Sequence, residues 1–137
     1  MTVVNSKRSK SKLEVVTKAI ALASYTIHIC SNEKNFPKRY RWCLTGKMVE
    51  HTVDICNYTN KANSVYVTSE RDFQTRRQYQ NMALAASYAL LTMMDIAYNT
   101  FSIDDDRIEY WVGLVIEVQE LLRNWRKSDS DKYKKLK

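Results

Sequence analysis

Apolar side chains recur along this chain at alternating steps of three and four, in four consecutive runs. The first is Leu13, Val16, Ile20, Ala23, Ile27 and Cys30. The second is Tyr40, Leu44, Met48, His51, Ile55, Tyr58, Ala62 and Val65. The third is Phe73, Gln80, Leu84, Ser87, Leu91, Met94, Tyr98 and Phe101, with Arg77 at one basic position. The fourth is Ile108, Trp111, Val115, Val118, Leu122 and Trp125. A helix repeats every 3.6 residues, so this spacing lays each run along one stripe. Four such stripes are buried by packing against one another.

Boundary signals divide the runs. Ser11 and Glu14 form a capping-box pattern, and the first helix is predicted from there to about Cys30. Pro37 fits the first position of a second helix that runs to about Val65. Ser69 with Asp72 caps a third helix ending near Thr100, and Ser102 with Asp105 caps a fourth that ends near Lys127. The links are short, which makes neighbouring helices antiparallel. The predicted architecture is therefore all-α, an antiparallel up-down-up-down four-helix bundle over residues 11–127. Residues 1–10 and 128–137 are predicted as flexible basic tails.

Two helices carry more apolar surface than one seam requires. The third has a second row, Ala83, Ala86, Leu90, Met93 and Ala97; the fourth adds Val112, Leu114, Ile116 and Leu121. These side chains either broaden the core or meet another subunit.

The 137 residues contain only two Gly and one Pro, which suits long helices and argues against a strand-rich fold. No apolar run reaches the ~18–20 residues that a membrane crossing needs. The basic start of the chain is not followed by a signal-peptide pattern, so a cytoplasmic location is expected. Cys30, Cys43 and Cys56 are odd in number and contain no C-x-x-C pair, consistent with reduced thiols.

Little in the sequence suits catalysis. A di-metal bundle uses Glu-x-x-His pairs, but Tyr25 and Met48 stand three positions before His28 and His51. His51 on the second stripe reads as a core or edge histidine. Two isolated glycines cannot build a phosphate loop. Asp104, Asp105 and Asp106 read as first-turn acids answering a helix dipole. The expectation is no enzyme, no cofactor and no metal.

Charge is more informative. The formal net charge of +7 favours polyanionic partners. In an up-down-up-down bundle the first helix's start, the third helix's start and the fourth helix's end share a pole. That pole would collect fourteen Lys and Arg, among them Arg71, Arg76, Arg77, Arg123, Arg126 and Lys127. Lys34, Lys38, Arg39, Arg41 and Lys47 form a second cluster at the opposite pole. A solvated surface is one reading of such runs. The other is phosphate binding, since guanidinium binds phosphate bidentately. Tyr40, Trp42, Tyr79 and Trp125 are interleaved with the arginines, a mix suited to unstacked bases, although Tyr40 and Trp125 also lie on core stripes.

The decapeptide Asn35-Phe36-Pro37-Lys38-Arg39-Tyr40-Arg41-Trp42-Cys43-Leu44 resembles a motif of a family of small four-helix bundle proteins. That family includes the accessory variability determinant (Avd) proteins of diversity-generating retroelements and the proteins encoded in intervening sequences of bacterial large-subunit ribosomal RNA. The likeness spans roughly residues 11–127. The rRNA-associated branch usually carries a later Ile-Pro-Ala-Asn-Ile-Ala-Glu-Gly stretch, and the region from Val53 to Ala62 has neither that Pro nor that Gly. The Avd branch is the nearer one. The resemblance implies a non-catalytic homo-pentamer that binds the reverse transcriptase of its element and template RNA, or the cDNA or RNA/DNA hybrid, in mutagenic retrohoming. Lys38 and Arg41 match the motif. The alternatives are an rRNA-associated bundle and a protein-binding adaptor without a nucleic-acid role.

Overall fold

The computed structural model describes residues 10–136, with side chains from Glu14 onward. Among these residues the chain is all-helical, with no strand. α1 spans Lys10–Cys30, α2 Gly46–Ser64, α3 Glu70–Thr100 and α4 Asp105–Tyr133. A 3₁₀ turn, Lys38–Tyr40, and a π-helical turn, Arg41–Thr45, lead into α2. The expected tail at residues 1–10 falls outside the described residues, apart from Lys10. Ser11 lies inside α1 rather than ahead of it.

The core joins all four helices, from Val15, Ala19 and Leu22 through Met48 and Ile55 to Leu90, Met94, Trp111, Val115 and Leu122. The α4 stripe matches expectation, with Trp111, Val115, Val118, Leu122 and Trp125 all buried. In α2, Thr52 and Thr59 join Met48, Ile55 and Ala62 inside, while His51 is half-buried.

Two seams differ from those the spacing predicts. On α1 the buried row is Val15, Ala19, Leu22, Thr26 and Ile29, whereas Ile20 is 52% and Ile27 48% exposed. The reason is polar. The Trp111 indole N–H needs an acceptor and donates to Thr26 Oγ1 at 2.9 Å, and that hydroxyl donates to Leu22 O at 2.8 Å. A row containing a threonine thus wins over a purely apolar one, because a buried indole N–H without a partner is costly. On α3 the row Ala83, Leu90 and Ala97 is buried together with Gln80, Leu84, Ser87 and Met94. The second row therefore supplies core, and Leu91 and Tyr98 move to the edge.

The connections also differ in detail. Pro37 is extended (ψ 137°) and precedes the 3₁₀ turn instead of opening α2. The Ser69 hydroxyl accepts from Asp72 N as predicted, but the Asp72 carboxylate turns to Thr68 N and Thr68 Oγ1. The fourth cap is Asp104, which accepts from Arg107 N at 3.2 Å, and not Ser102. Ile103, buried just before it, sets that boundary. α4 continues six residues past Lys127, so 128–133 is helix rather than loose tail. At the α1–α2 connection Phe36 meets Phe101 and Trp111 edge-on, centroids 5.6 and 5.9 Å apart, and Tyr40 leans on Phe101.

Candidate nucleic-acid interface

The eleven basic residues named from sequence separate into three environments: buried, partly engaged and exposed. Arg76 is 3% exposed. Its Nε donates to Ala62 O at 3.2 Å, its NH2 group to Val65 O at 2.6 Å, and its NH1 group to the Asp129 carboxylate at 3.3 Å. Gln80 Nε2 donates to the same carboxylate at 3.0 Å. Arg76 therefore ties the end of α2 and the start of α3 to the end of α4, and it has no surface left for a phosphate. Its expected binding role is corrected on that ground.

Arg77, Arg126 and Arg123 are partly engaged. Arg77 donates to Arg126 O and Ser130 Oγ and lies over the Phe73 ring. Burial, then repulsion from Arg126, lowers its pKa below the usual arginine value, with Asp129 opposing the shift. Arg126 donates to Asn81 Oδ1. Arg123 sits over the Tyr88 ring and donates to its hydroxyl. Arg71 and Lys127 are exposed. The pole expected to be a free cationic cap thus spends its central guanidiniums on fold. The basic residues of the chain's first twelve positions lie outside the described side chains.

The second cluster is different. Lys34, Lys38, Arg39, Arg41 and Lys47 are all exposed. Among them stands Trp42, 91% exposed. The other interleaved aromatics are committed elsewhere: Trp125 is buried, Tyr79 stacks on Tyr58 at 6.4 Å, and Tyr40 packs on Phe101 and carries Arg39 over its ring at 5.0 Å. Trp42 is therefore the one tryptophan of three with a free π-face.

The local backbone explains its presentation. The peptide N–H of Gly46 donates to Arg41 O, closing a five-residue π turn. A Cβ at Gly46 would stand 2.9 Å from Arg41 O, so the turn depends on glycine. A π turn inserts one residue relative to α-helical register and re-aims what precedes it, and such turns are frequent at functional sites. Leu44 and Thr45 point inward, while Arg41, Trp42 and Cys43 point out. Arg41, Trp42, Gly46, Lys47 and Glu50 line a shallow hollow of ≈ 520 Å³. Gly46, between Leu44 and Met48 near the start of the second apolar run, is the sequence feature that could have signalled this turn.

The thiols offer little reactivity where they are covered. Burial pushes Cys30 up to about 12 and Cys56 up to about 11. Cys43 is exposed and its thiol contacts Tyr40 O at 3.6 Å. No helix among the described residues is long and apolar enough to cross a membrane. Among the same residues, no group of three or more His, Cys, Asp or Glu could hold a metal ion. Compared with known proteins, the chain matches no family model, no curated protein and no solved structure.

Proposed function

We propose that this chain is a non-catalytic, cytoplasmic RNA-binding accessory subunit of the kind its decapeptide resembles, an Avd-like partner of a retroelement reverse transcriptase. The observation that carries the RNA reading is Trp42, almost fully exposed among Lys38, Arg39, Arg41 and Lys47. A large apolar ring held in water beside cations is suited to stacking on an unpaired base while neighbouring charges meet phosphates. The decapeptide likeness and the net charge of +7 support the same reading. We infer an antiparallel up-down-up-down arrangement of the helices. It is supported by the Arg76 contacts between helix ends, by Tyr98 meeting Asp105, and by Trp111 near the start of α4 meeting Thr26 near the end of α1. Assembly into a homo-pentamer and binding to the reverse transcriptase of the same element complete the proposal.

Binding is expected to be dominated by phosphates, sensitive to salt and weak in sequence preference. The test is a fluorescence-anisotropy titration with a single-stranded RNA of about 20 nucleotides. Trp42→Ala should weaken binding about tenfold, since stacking contributes ~1–3 kcal/mol per base. The pair Lys38→Glu and Arg41→Glu should weaken it further and flatten its salt dependence. Unchanged affinity in both variants overturns the reading. Arg76→Glu is no test of binding, because it would place a carboxylate beside buried Asp129.

A further inference from the structure

The outer surface between α3 and α4 carries a hollow of ≈ 350 Å³ lined by Tyr98, Ile108, Val112, Gly113 and Ile116 together with the carboxylates of Asp95 and Glu109. Asp95 and Glu109 are exposed, and neither belongs to an ion pair among the described residues. On a chain with a net charge of +7, this is a mainly apolar hollow whose only charged lining residues are acidic. Gly113 lies in the middle of α4, where glycine is the least favoured residue after proline. Apart from its chain neighbours and the backbone of its own helix turn, no atom of the described residues lies within 4 Å of the position its Cβ would occupy. Among the described residues, no neighbour therefore requires glycine there. The missing side chain leaves room for a group arriving from outside.

The same chain displays a matching group. Trp42 is an exposed apolar knob beside Arg41 and Lys47, with Lys38 four positions before it and one carboxylate, Glu50, nearby, so its surroundings are mainly cationic where those of the α3–α4 hollow are anionic. Tryptophan is the side chain whose burial at an interface contributes most, and complementary charges fix its register. We propose that the Trp42 segment of one copy docks into the α3–α4 hollow of a second copy, a head-to-tail contact between two different surfaces. Contacts of this type close into rings when the rotation between copies permits. The inference rests on and deepens the self-assembly part of the function proposed above, and it meets the RNA part at Trp42. One indole cannot be seated and stacked on a base at once, so a second copy and an RNA strand compete for Trp42.

Two variants separate the halves of the contact. Trp42→Ala removes the knob and keeps the hollow. Gly113→Lys fills the hollow with a good helix former and keeps the knob, and helical circular dichroism checks that both fold. By light scattering at tens of micromolar, wild type should exceed the single-chain mass of 16.1 kDa. Each variant alone should fall to that mass, and an equimolar mixture should give a species of about twice it, because one variant's knob meets the other's hollow. A monomeric wild type, or a mixture that stays at single-chain mass, overturns the proposal. At protein concentrations too low for wild type to self-assemble, Gly113→Lys should bind the RNA probe within about twofold of wild type. If RNA binds no variant and no wild type while the mixture still pairs, the RNA reading fails and this contact stands. If RNA binds but leaves the mixed pair intact, stacking on Trp42 is refuted and the docking contact is not.

Discussion

Arg76 and Arg77 are adjacent in sequence and have little in common in space. Arg76 and Asp129 form a buried ion pair whose remaining donors and acceptors go to Ala62 O, Val65 O and Gln80. Removing one partner leaves the other charge buried without compensation, so Asp129→Ala should cost ~3–5 kcal/mol in urea unfolding. The double replacement Arg76→Met with Asp129→Leu should cost clearly less than Asp129→Ala alone. A double variant no more stable than the single would show that the pair does not carry the end of α4. Asp72 gives a pH signature. Hydrogen bonds from Thr68 N, then from the Thr68 and Ser69 hydroxyls, lower its pKa below the ordinary carboxylate value of 3.8. A group lowered on folding adds stability that is present above the unfolded value and lost as pH falls through the folded one. Wild type should therefore lose its advantage over Asp72→Asn as pH is taken below about 4, as read by thermal unfolding. An advantage that persists undiminished into stronger acid would contradict the Thr68 contacts.

At the scale of the element, the four helices were legible from spacing, but which row of each faced inward was legible only in part. α4 has one wide apolar row with Trp111 and Trp125 on it, and it was read correctly. α1 has two parallel rows one residue apart, and no count of apolar residues distinguishes Val15–Ile29 from Val16–Cys30. The Trp111–Thr26 hydrogen bond, 85 positions apart in sequence, decides it. The π turn was likewise invisible to periodicity, which treats Tyr40 to Val65 as one α-helical run. The two glycines test these elements with opposite signs. Gly46→Ala brings a Cβ to within 2.9 Å of Arg41 O and should destabilise by ~1–3 kcal/mol as the turn shifts to relieve it. Gly113→Ala meets open space and should stabilise by ~0.5–1 kcal/mol through backbone entropy alone. Chemical denaturation of both variants measures the contrast, and equal signs would refute the local geometry.

Over the whole molecule the distribution of charge matters more than its sum. The pole with most arginines in sequence uses Arg76 and Arg77 to hold α2, α3 and α4 together. The smaller cluster around Trp42 keeps its charges in water. If that cluster supplies the phosphate contacts of the proposed interface, the slope of log affinity against log salt should fall by ~0.7 for each contact removed. Lys38→Glu with Arg41→Glu should then lower it by more than one, whereas Arg71→Glu should leave it nearly unchanged. A larger effect at Arg71 would return the interface to the other pole. Hydropathy spacing and the scarcity of glycine and proline by themselves determined that the described residues are helical and form four α-helices, because those signals are local and repeat every turn. Charge composition likewise marked a surplus of cations from sequence alone. Which arginine is buried, which apolar row faces in and which tryptophan stays in water were decided only by tertiary structure. Each of those outcomes turns on a partner tens of residues away, such as Asp129 for Arg76 and Thr26 for Trp111, or on a turn that re-aims the backbone, as at Gly46.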